Sequence, residues 1–213
     1  MSIQVVLPGL QTTIQDHGRY GCRHMGVPQS GAADLFSYKL ANFLLGQLPN
    51  ATALECTLTG PRLRFLSDMQ IMITGADMQP EVNGSAIDMF APFRIQAGDE
   101  LIMQACLVGC RSYIAFSKNL VCDSFLGSSS TYLPAKLGGL NGKALTSGDV
   151  IATTGEKVQQ GRRLESLENF GQNLSNDWVL TALPGPEFDA MDEVSKKLLF
   201  SETYTVTNDS NRM

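Results

Sequence analysis

Residues 8–34 contain most of the side chains in this chain whose types and spacing are suited to chemistry. Five glycines and two prolines punctuate these 27 residues, and both histidines of the chain lie among them. Such a polar, sharply turned segment is typical of a loop that holds a ligand. The alternative is an irregular surface loop whose polar groups satisfy its own backbone. The polar and proton-exchanging groups here are Gln15, Asp16, His17, Arg19, Arg23, His24, Gln29, Ser30 and Asp34.

Asp16 and Arg19 lie three residues apart in this segment, a spacing that lets one turn bring carboxylate and guanidinium together. A neighbouring cation lowers the proton affinity of a carboxyl group, so we expect Asp16 to stay ionised. The pair is either a clamp for a small polar amide or lactam, or an ion pair internal to the loop. On the residues alone both interpretations stay open; the resemblance to a known family that the string QDHGR carries favours the clamp and a catalytic role for both residues.

A helix over about residues 31–45 follows the loop, because apolar side chains recur there with helical period and Gly46 can end it. Ser30 or Gly31 caps its start, and Asp34 favours its first turn. A helix start presents free backbone N–H groups, so Ser30 and Asp34 are further catalytic candidates. Ser30 either donates to a substrate carbonyl or serves only as the cap. Pro28 and Gly31 set the geometry of the turn.

After residue 49 the pattern changes to short alternating segments, at 53–59, 69–77, 79–82, 86–90, 100–107 and 111–117. Many strands with one helix predict a mainly β fold, either a barrel or a sandwich. Asp77 ends one of these strands and either lines the mouth of a cavity or closes a turn. Glu55 faces either a cavity or solvent, and we expect solvent.

Residues 127–148 form a second stretch rich in glycine and serine. Its opening string, Gly-Ser-Ser-Ser-Thr at 127–131, is suited to a small anion-binding nest but does not match a nucleotide-binding P-loop. We expect a first subdomain at 1–155 and the start of a second, incomplete one at 178–213, beginning with a strand.

Composition narrows the class of protein. The net charge of −5 disfavours nucleic acid as a partner. No apolar run is long enough to span a membrane, and the N-terminal residues lack the features of a signal peptide, which predicts a cytoplasmic protein. The five cysteines are expected to be free thiols, and none of their spacings completes a zinc site. No metal site is expected.

Four strings carry a resemblance to a known family: PGLQTTIQDHGRYG, GVPQSGAAD, ALECTLTGPRL and ITGADMQPEVNG. They are similar to the carboxyltransferase-domain proteins called allophanate hydrolase subunit 2, which include KipA and the C subunit of 5-oxoprolinase. The match is dense over the first 80 residues and continues through GSSSTYLPAKLGG and ALPGPEFD. The resemblance implies a cyclophilin-like β-barrel in two related subdomains.

The same resemblance implies a function in a complex. With a KipI-like protein (the B subunit of 5-oxoprolinase) and a further catalytic protein (the A subunit), the chain would cleave 5-oxoproline to glutamate at the expense of ATP. The ATP site is not assignable to residues. Beside the four catalytic candidates, the residues expected to contact substrate are Gln15, Gly18, Pro28, Gly31, Asp77, Ser128 and Thr131.

Three departures from the family pattern bear on activity. Ser129 stands where the family has arginine, which removes a bidentate anion contact. Ser117 and Lys118 replace a glycine pair. Family members continue beyond the position of residue 213, so we expect a truncated product, a fragment or a subunit whose remainder lies elsewhere. The alternative function is a KipA-type module that sequesters a KipI-like kinase inhibitor without chemistry. A carboxyltransferase fragment is a third option, although the chain has no biotin-attachment motif.

Overall fold

The computed structural model describes residues 1–155, 162–163, 177 and 179–205. The chain divides into two compact units, Met1–Asn176 and Asp177–Met213. The first unit contains the β-structure and the predicted ligand-holding loop.

Twelve short strands lie in the described part of the first unit. In chain order they are β1 (Ser2–Leu7), β2 (Gln11–Gln15), β3 (Ala53–Thr57), β4 (Arg62–Phe65), β5 (Met69–Asp77), β6 (Glu81–Val82), β7 (Ser85–Ala86), β8 (Phe93–Ile95), β9 (Glu100–Ile102), β10 (Val108–Phe116), β11 (Asn119–Leu120) and β12 (Val150–Thr154). Short 3-10 helices lie at Arg23–Met25 and Leu133–Ala135.

The strands form two antiparallel sheets. One has seven strands in the order β11-β12-β1-β4-β9-β6-β7, and the other has five in the order β2-β3-β10-β5-β8. Apolar side chains from both sheets pack together in one core cluster, which includes Ile3, Phe65 and Ile114. The prediction of a mainly β fold is confirmed. Within the described residues the two sheets do not close into a barrel, and the arrangement is compatible with the cyclophilin-like architecture.

Alternate residues of the five-stranded sheet face two different environments. The register aligns Ile14, Leu54, Ile114 and Ile73 in one row across four strands, and this row belongs to the core between the sheets. The side chains of the next row lie on the opposite face of the sheet and belong to Thr13, Glu55, Tyr113 and Thr74. All four are buried: helix α1 (Leu35–Leu45) packs on that face against β5 and β10, and the segment before it contacts Glu55 through the Ala33 N–H. The expectation that Glu55 faces solvent is wrong.

Helix α1 begins four residues later than predicted. Ser30 and Gly31 have φ angles of 58° and 88°, which lie in the left-handed region and do not continue into a right-handed helix. Asp34 is the N-cap instead, and its side chain accepts the N–H of Ser37 at 3.0 Å. The helix ends as predicted at Gly46, which has a φ of 74°.

The second unit contains a 3-10 helix at Phe188–Ala190 and helix α2 at Glu193–Ser201. Asp192 caps α2 by accepting the N–H of Ser195 at 2.8 Å, and the rings of Phe188 and Phe200 meet edge to face. The strand that we predicted at its start is absent from residues 179–185, and residue 178 lies outside the described residues. The assignment of residues 178–213 to a related subdomain stays a prediction.

Candidate functional site

Three segments that are distant in the sequence meet at the end of β2. The N–H of Thr131 donates to the carbonyl of Ile14 at 3.0 Å, and the N–H of Ala32 donates to the carbonyl of Asp16 at 2.8 Å. The N–H of Arg19 donates to the carbonyl of Gln29 at 2.8 Å. Residues 14–19, 29–32 and 128–131 therefore form one hydrogen-bonded unit, which we call the loop junction. It contains eight of the eleven residues predicted to form the site.

Glycine is required where two backbone segments of the loop junction come into contact. A Cβ on Gly31 would lie 2.8 Å from the backbone nitrogen of Gly18, and a Cβ on Gly18 would lie 2.8 Å from the carbonyl oxygen of Gln29. Both glycines also have positive φ angles. The glycines of this segment thus permit direct backbone-to-backbone packing.

The Asp16 carboxylate is the centre of the loop junction. Its Oδ1 accepts hydrogen bonds from the Gly18 N–H at 2.7 Å, from the Ser128 hydroxyl at 2.7 Å and from the Ser130 hydroxyl. Its Oδ2 accepts the Ser129 N–H at 2.7 Å. The serine-rich string thus contacts an anion through two hydroxyls and one backbone N–H, and this anion is the chain's own aspartate.

Three hydrogen bonds reach Oδ1 of this carboxylate and one reaches Oδ2. Burial by itself raises the pKa of Asp16, but the hydrogen bonds from Ser130, Ser128, Gly18 and Ser129 together outweigh it and lower the pKa below 3.8. The lowered pKa that we expected from the neighbouring cation thus comes from these hydrogen bonds. A carboxylate held in this way organises a loop rather than accepting a substrate proton.

Arg19 lies beside Asp16 but does not form the direct ion pair that the sequence suggested. Its Nε donates to the carbonyl of Phe125 at 3.2 Å, and its Nη2 donates to the carbonyl of Ser130. Only 1% of Arg19 is exposed, and its Nη1 is buried without a hydrogen-bond partner. Burial lowers the pKa of Arg19, and the attraction of Asp16 offsets part of this effect. The site therefore contains a buried cationic donor with unused capacity.

Gln15 and Ser30 converge on a single acceptor, the carbonyl oxygen of Thr131. The Gln15 Nε2 and the Ser30 hydroxyl each donate to it at 3.2 Å. The Gln15 Oε1 is buried and has no partner. Ser30 is not a helix cap, and it is half-buried at the edge of the junction. The hydroxyl of Thr131 donates to the carbonyl of Ile14 at 2.8 Å and closes the contact with β2.

Three predicted residues lie elsewhere. Asp34 caps α1, and Pro28 lies half-buried in the loop that leads to the junction. Asp77 ends β5 next to Val108, at the opposite end of the five-stranded sheet from Gln15. Its carboxylate accepts the N–H of Gln79 at 2.8 Å, which is the contact of an aspartate that closes a turn.

Residues that sequence reasoning missed lie directly beneath the junction. Glu55 is 2% exposed, and it accepts hydrogen bonds from the Ala33 N–H at 2.7 Å and from the Tyr113 hydroxyl at 2.8 Å. Arg111 donates to the other carboxylate oxygen of Glu55 at 3.0 Å. The only signal in the sequence was a charged residue inside an alternating strand, which does not distinguish a covered face from a solvated one.

The described residues contain neither a metal-ligand cluster nor a membrane-spanning helix. No group of three or more His, Cys, Asp or Glu side chains there is suited to hold a metal ion. No helix in that part of the chain is long and apolar enough to cross a membrane. The five cysteines are free thiols. The junction has no phosphate-binding loop, so the expected use of ATP stays unassigned to residues.

The sequence profile described as "Carboxyltransferase domain, subdomain A and B" matches residues 25–213. The chain belongs to the carboxyltransferase-domain family. The resemblance noted in the sequence is thereby confirmed.

Curated relatives of this carboxyltransferase-domain protein differ in length and name. It is 33% identical over 223 residues to the urea amidolyase of Lachancea kluyveri, covering 99% of this chain and 12% of that protein. It is 32% identical over 212 residues to the C subunit of 5-oxoprolinase from Escherichia coli (strain K12), covering 99% of this chain and 66% of that protein. The chain thus spans about an eighth of the former and just under two thirds of the latter.

Solved structures agree with this relationship. The crystal structure of the K. lactis urea amidolyase superposes with a TM-score of 0.87 at 30% identity, over 99% of this chain and 13% of that protein. The K. lactis urea carboxylase gives a TM-score of 0.76 at 31% identity, over 83% of this chain and 16% of that protein. The two-sheet fold is therefore that of a portion of these larger enzymes.

Proposed function

We propose that this carboxyltransferase-domain protein is one component of an ATP-dependent amidohydrolase complex that cleaves 5-oxoproline to glutamate. The observation that carries the proposal is the similarity to the C subunit of 5-oxoprolinase along 99% of the chain. In this reaction water adds across the lactam amide bond, so that the carbonyl carbon becomes a carboxylate and the ring nitrogen becomes an amine. ATP supplies the free energy for the step in the assembled complex.

The loop junction supports recognition of a small polar amide. The unpartnered Arg19 Nη1 is a buried donor suited to a carbonyl or carboxylate oxygen, and the unpartnered Gln15 Oε1 is an acceptor suited to an amide N–H. A lactam presents both groups. Ser30 contributes a half-buried hydroxyl at the edge of the same junction. Asp16 keeps the serine-rich loop in place beside them rather than transferring a proton.

The proposed partners follow from the same relationship. A KipI-like protein, equivalent to the B subunit of 5-oxoprolinase, and the catalytic A subunit would complete the complex in the cytoplasm. The ATP that drives the reaction would bind within this assembly, and we assign its site to no particular residues.

Reconstitution tests the proposal. The chain is mixed with the B and A subunits of a 5-oxoprolinase, and glutamate release is followed with and without ATP. The proposal requires release that depends on ATP and on this chain. Folded proteins that form a complex but release no glutamate above the level without this chain reject it.

The alternative is a KipA-type regulatory module that binds a KipI-like protein without chemistry. Two features favour it: the family arginine is replaced by Ser129, and the Asp16 carboxylate is engaged by the chain's own serine-rich loop. The variant Ser129→Arg separates the two functions. Ser129 contacts Asp16 through its backbone N–H, so the new side chain leaves that bond intact. Turnover that rises in this variant supports the enzyme, whereas tight partner binding without turnover in either form supports the regulatory module.

Carboxyl transfer is a further candidate, favoured by the TM-score of 0.87 to a urea amidolyase. It requires a biotin-carrying partner. A biotinylated protein that co-purifies with the chain and is detected with streptavidin supports this function over lactam hydrolysis.

A further inference from the structure

A buried carboxylate beneath the loop junction accepts hydrogen bonds on both of its oxygens. The Glu55 Oε2 accepts the backbone N–H of Ala33 at 2.7 Å and the hydroxyl of Tyr113 at 2.8 Å. Its Oε1 accepts from the Arg111 Nη1 at 3.0 Å. All three of these partners act as donors, so Glu55 serves as their common acceptor.

The Tyr113 hydroxyl has one hydrogen, and its direction is determined by its neighbours. The backbone N–H of Asp34 donates to the hydroxyl oxygen at 2.8 Å, so the hydroxyl hydrogen is free to donate to Glu55. Burial, first of all, and the nearby Glu55 carboxylate raise the pKa of Tyr113 far above its usual range, which keeps the hydroxyl protonated. Tyr113 therefore relays the negative charge of Glu55 to a second backbone N–H.

Glu55 and Tyr113 together hold two consecutive backbone N–H groups, those of Ala33 and Asp34. These residues follow Ser30 and Gly31, which both have positive φ angles. Such an angle is unfavourable for Ser30 and needs support from the surrounding structure. On the other side, the N–H of Ala32 donates to the carbonyl of Asp16 at 2.8 Å. The segment from Ser30 to Asp34 is thus tied to the sheet beneath it and to the junction beside it.

We infer that Glu55 and Tyr113 are positioning residues that preform the Ser30–Asp34 segment, so that the Ser30 hydroxyl is held at the edge of the loop junction, where its oxygen can accept a hydrogen bond from the substrate. This inference rests on the proposed function for its effect on turnover. A preformed segment needs no ordering when substrate binds, so loosening it weakens substrate binding more than the chemical step.

The variants follow from the hydrogen-bond pattern. Tyr113→Phe keeps the ring and removes both bonds of the hydroxyl. Glu55→Gln replaces one acceptor oxygen by a donor, which then faces either Arg111 or the pair formed by Ala33 and Tyr113. Thr74→Val is the matched control, because Thr74 lies in the same buried row and donates to the carbonyl of Ser37 in α1 at 2.7 Å, yet contacts neither Ala33 nor Asp34.

Two measurements test the inference. In the isolated chain, amide hydrogen exchange at Ala33 and Asp34 is expected to become about tenfold faster in Tyr113→Phe and Glu55→Gln, and to stay unchanged in Thr74→Val. In the reconstituted complex, the KM for 5-oxoproline is expected to rise about tenfold in the first two variants while kcat changes less than about threefold, with Thr74→Val like the wild type.

Each outcome is decisive. Unchanged exchange at both amides overturns the inference, because the segment then does not depend on Glu55 and Tyr113. Faster exchange with an unchanged KM also overturns it, since the bonds would then serve folding alone. A wild-type complex without turnover rejects the proposed function itself, and this failure is visible before any variant is made. The positioning role in turnover is then rejected with it, although the hydrogen-exchange result stands.

Discussion

The Asp16 carboxylate accepts the backbone N–H of Ser129 at 2.7 Å, although 113 positions separate the two residues in the chain. This bond connects the end of β2 to the serine-rich string before Tyr132. The hydroxyls of Ser128 and Ser130 reach the same carboxylate, so a single side chain orders a loop that has no strand or helix of its own at these positions.

Asp16→Asn is expected to destabilise the fold. The amide nitrogen must face at least one of the donors that now point at the carboxylate, and a buried donor is left without an acceptor. We expect the free energy of unfolding to fall by ~2–4 kcal/mol, measured by urea denaturation. Asp88→Asn is the control, because Asp88 is exposed and pairs with Arg163 at the surface, and it should cost less than ~1 kcal/mol. Equal losses for the two variants would contradict the central role of Asp16.

The contribution of Asp16 to stability should disappear in acid. Its pKa is lowered by folding from the ordinary value of 3.8, so above that value both states are ionised and the contribution is complete. Below it the unfolded chain binds the proton first, and the contribution shrinks as the pH falls through the lowered pKa of the folded state. The gap in unfolding free energy between wild type and Asp16→Asn should therefore be constant at neutral pH and narrow below about pH 4. A gap that widens in acid would be inconsistent with a lowered pKa.

Gly31→Ala is expected to separate the two backbone segments of the loop junction. The new Cβ would lie 2.8 Å from the nitrogen of Gly18 and 2.8 Å from the carbonyl carbon of His17, and neither backbone atom can move alone. Gly26→Ala is the matched control: its φ of 73° imposes a similar left-handed penalty, but no atom lies within 4 Å of the added Cβ. We expect ~1–2 kcal/mol for the control and a clearly larger loss of thermal stability for Gly31→Ala. Equal losses would show that the close approach is unimportant.

Arg19→Lys is expected to abolish most of the proposed turnover. Lysine keeps the charge but cannot donate to the carbonyls of Phe125 and Ser130 while also presenting a further donor to a substrate. In the reconstituted complex, glutamate release should fall ~100-fold, the size typical of losing one positioned donor. Arg94→Ala is the control, because Arg94 is exposed on β8 at the edge of the five-stranded sheet. Wild-type turnover in Arg19→Lys would remove Arg19 from the site.

The local features of the chain could be predicted because they depend on neighbouring residues. The helical period of residues 36–44 and the stop at Gly46 predicted α1, and the alternation around Leu54 predicted β3. The start of the helix was wrong by four residues, because the left-handed conformation of Ser30 depends on contacts with Thr131 and the sheet rather than on its neighbours. Phe43 falls within this helical period but is exposed, since the buried face of α1 is centred on Tyr38, Ala41 and Leu45.

Part of the loop junction was also visible in the sequence: composition singled out residues 8–34, and the family resemblance added Ser128 and Thr131. What those groups do was decided by long-range contacts. The sequence predicted that Asp16 clamps a ligand, but in the fold its carboxylate binds three serines from more than a hundred positions away in the chain. Glu55 looked solvated because alternation shows only which residues share a face of a strand. Helix α1 covers that face, and burial beneath it converts an ordinary surface glutamate into the acceptor that holds the Ser30–Asp34 segment.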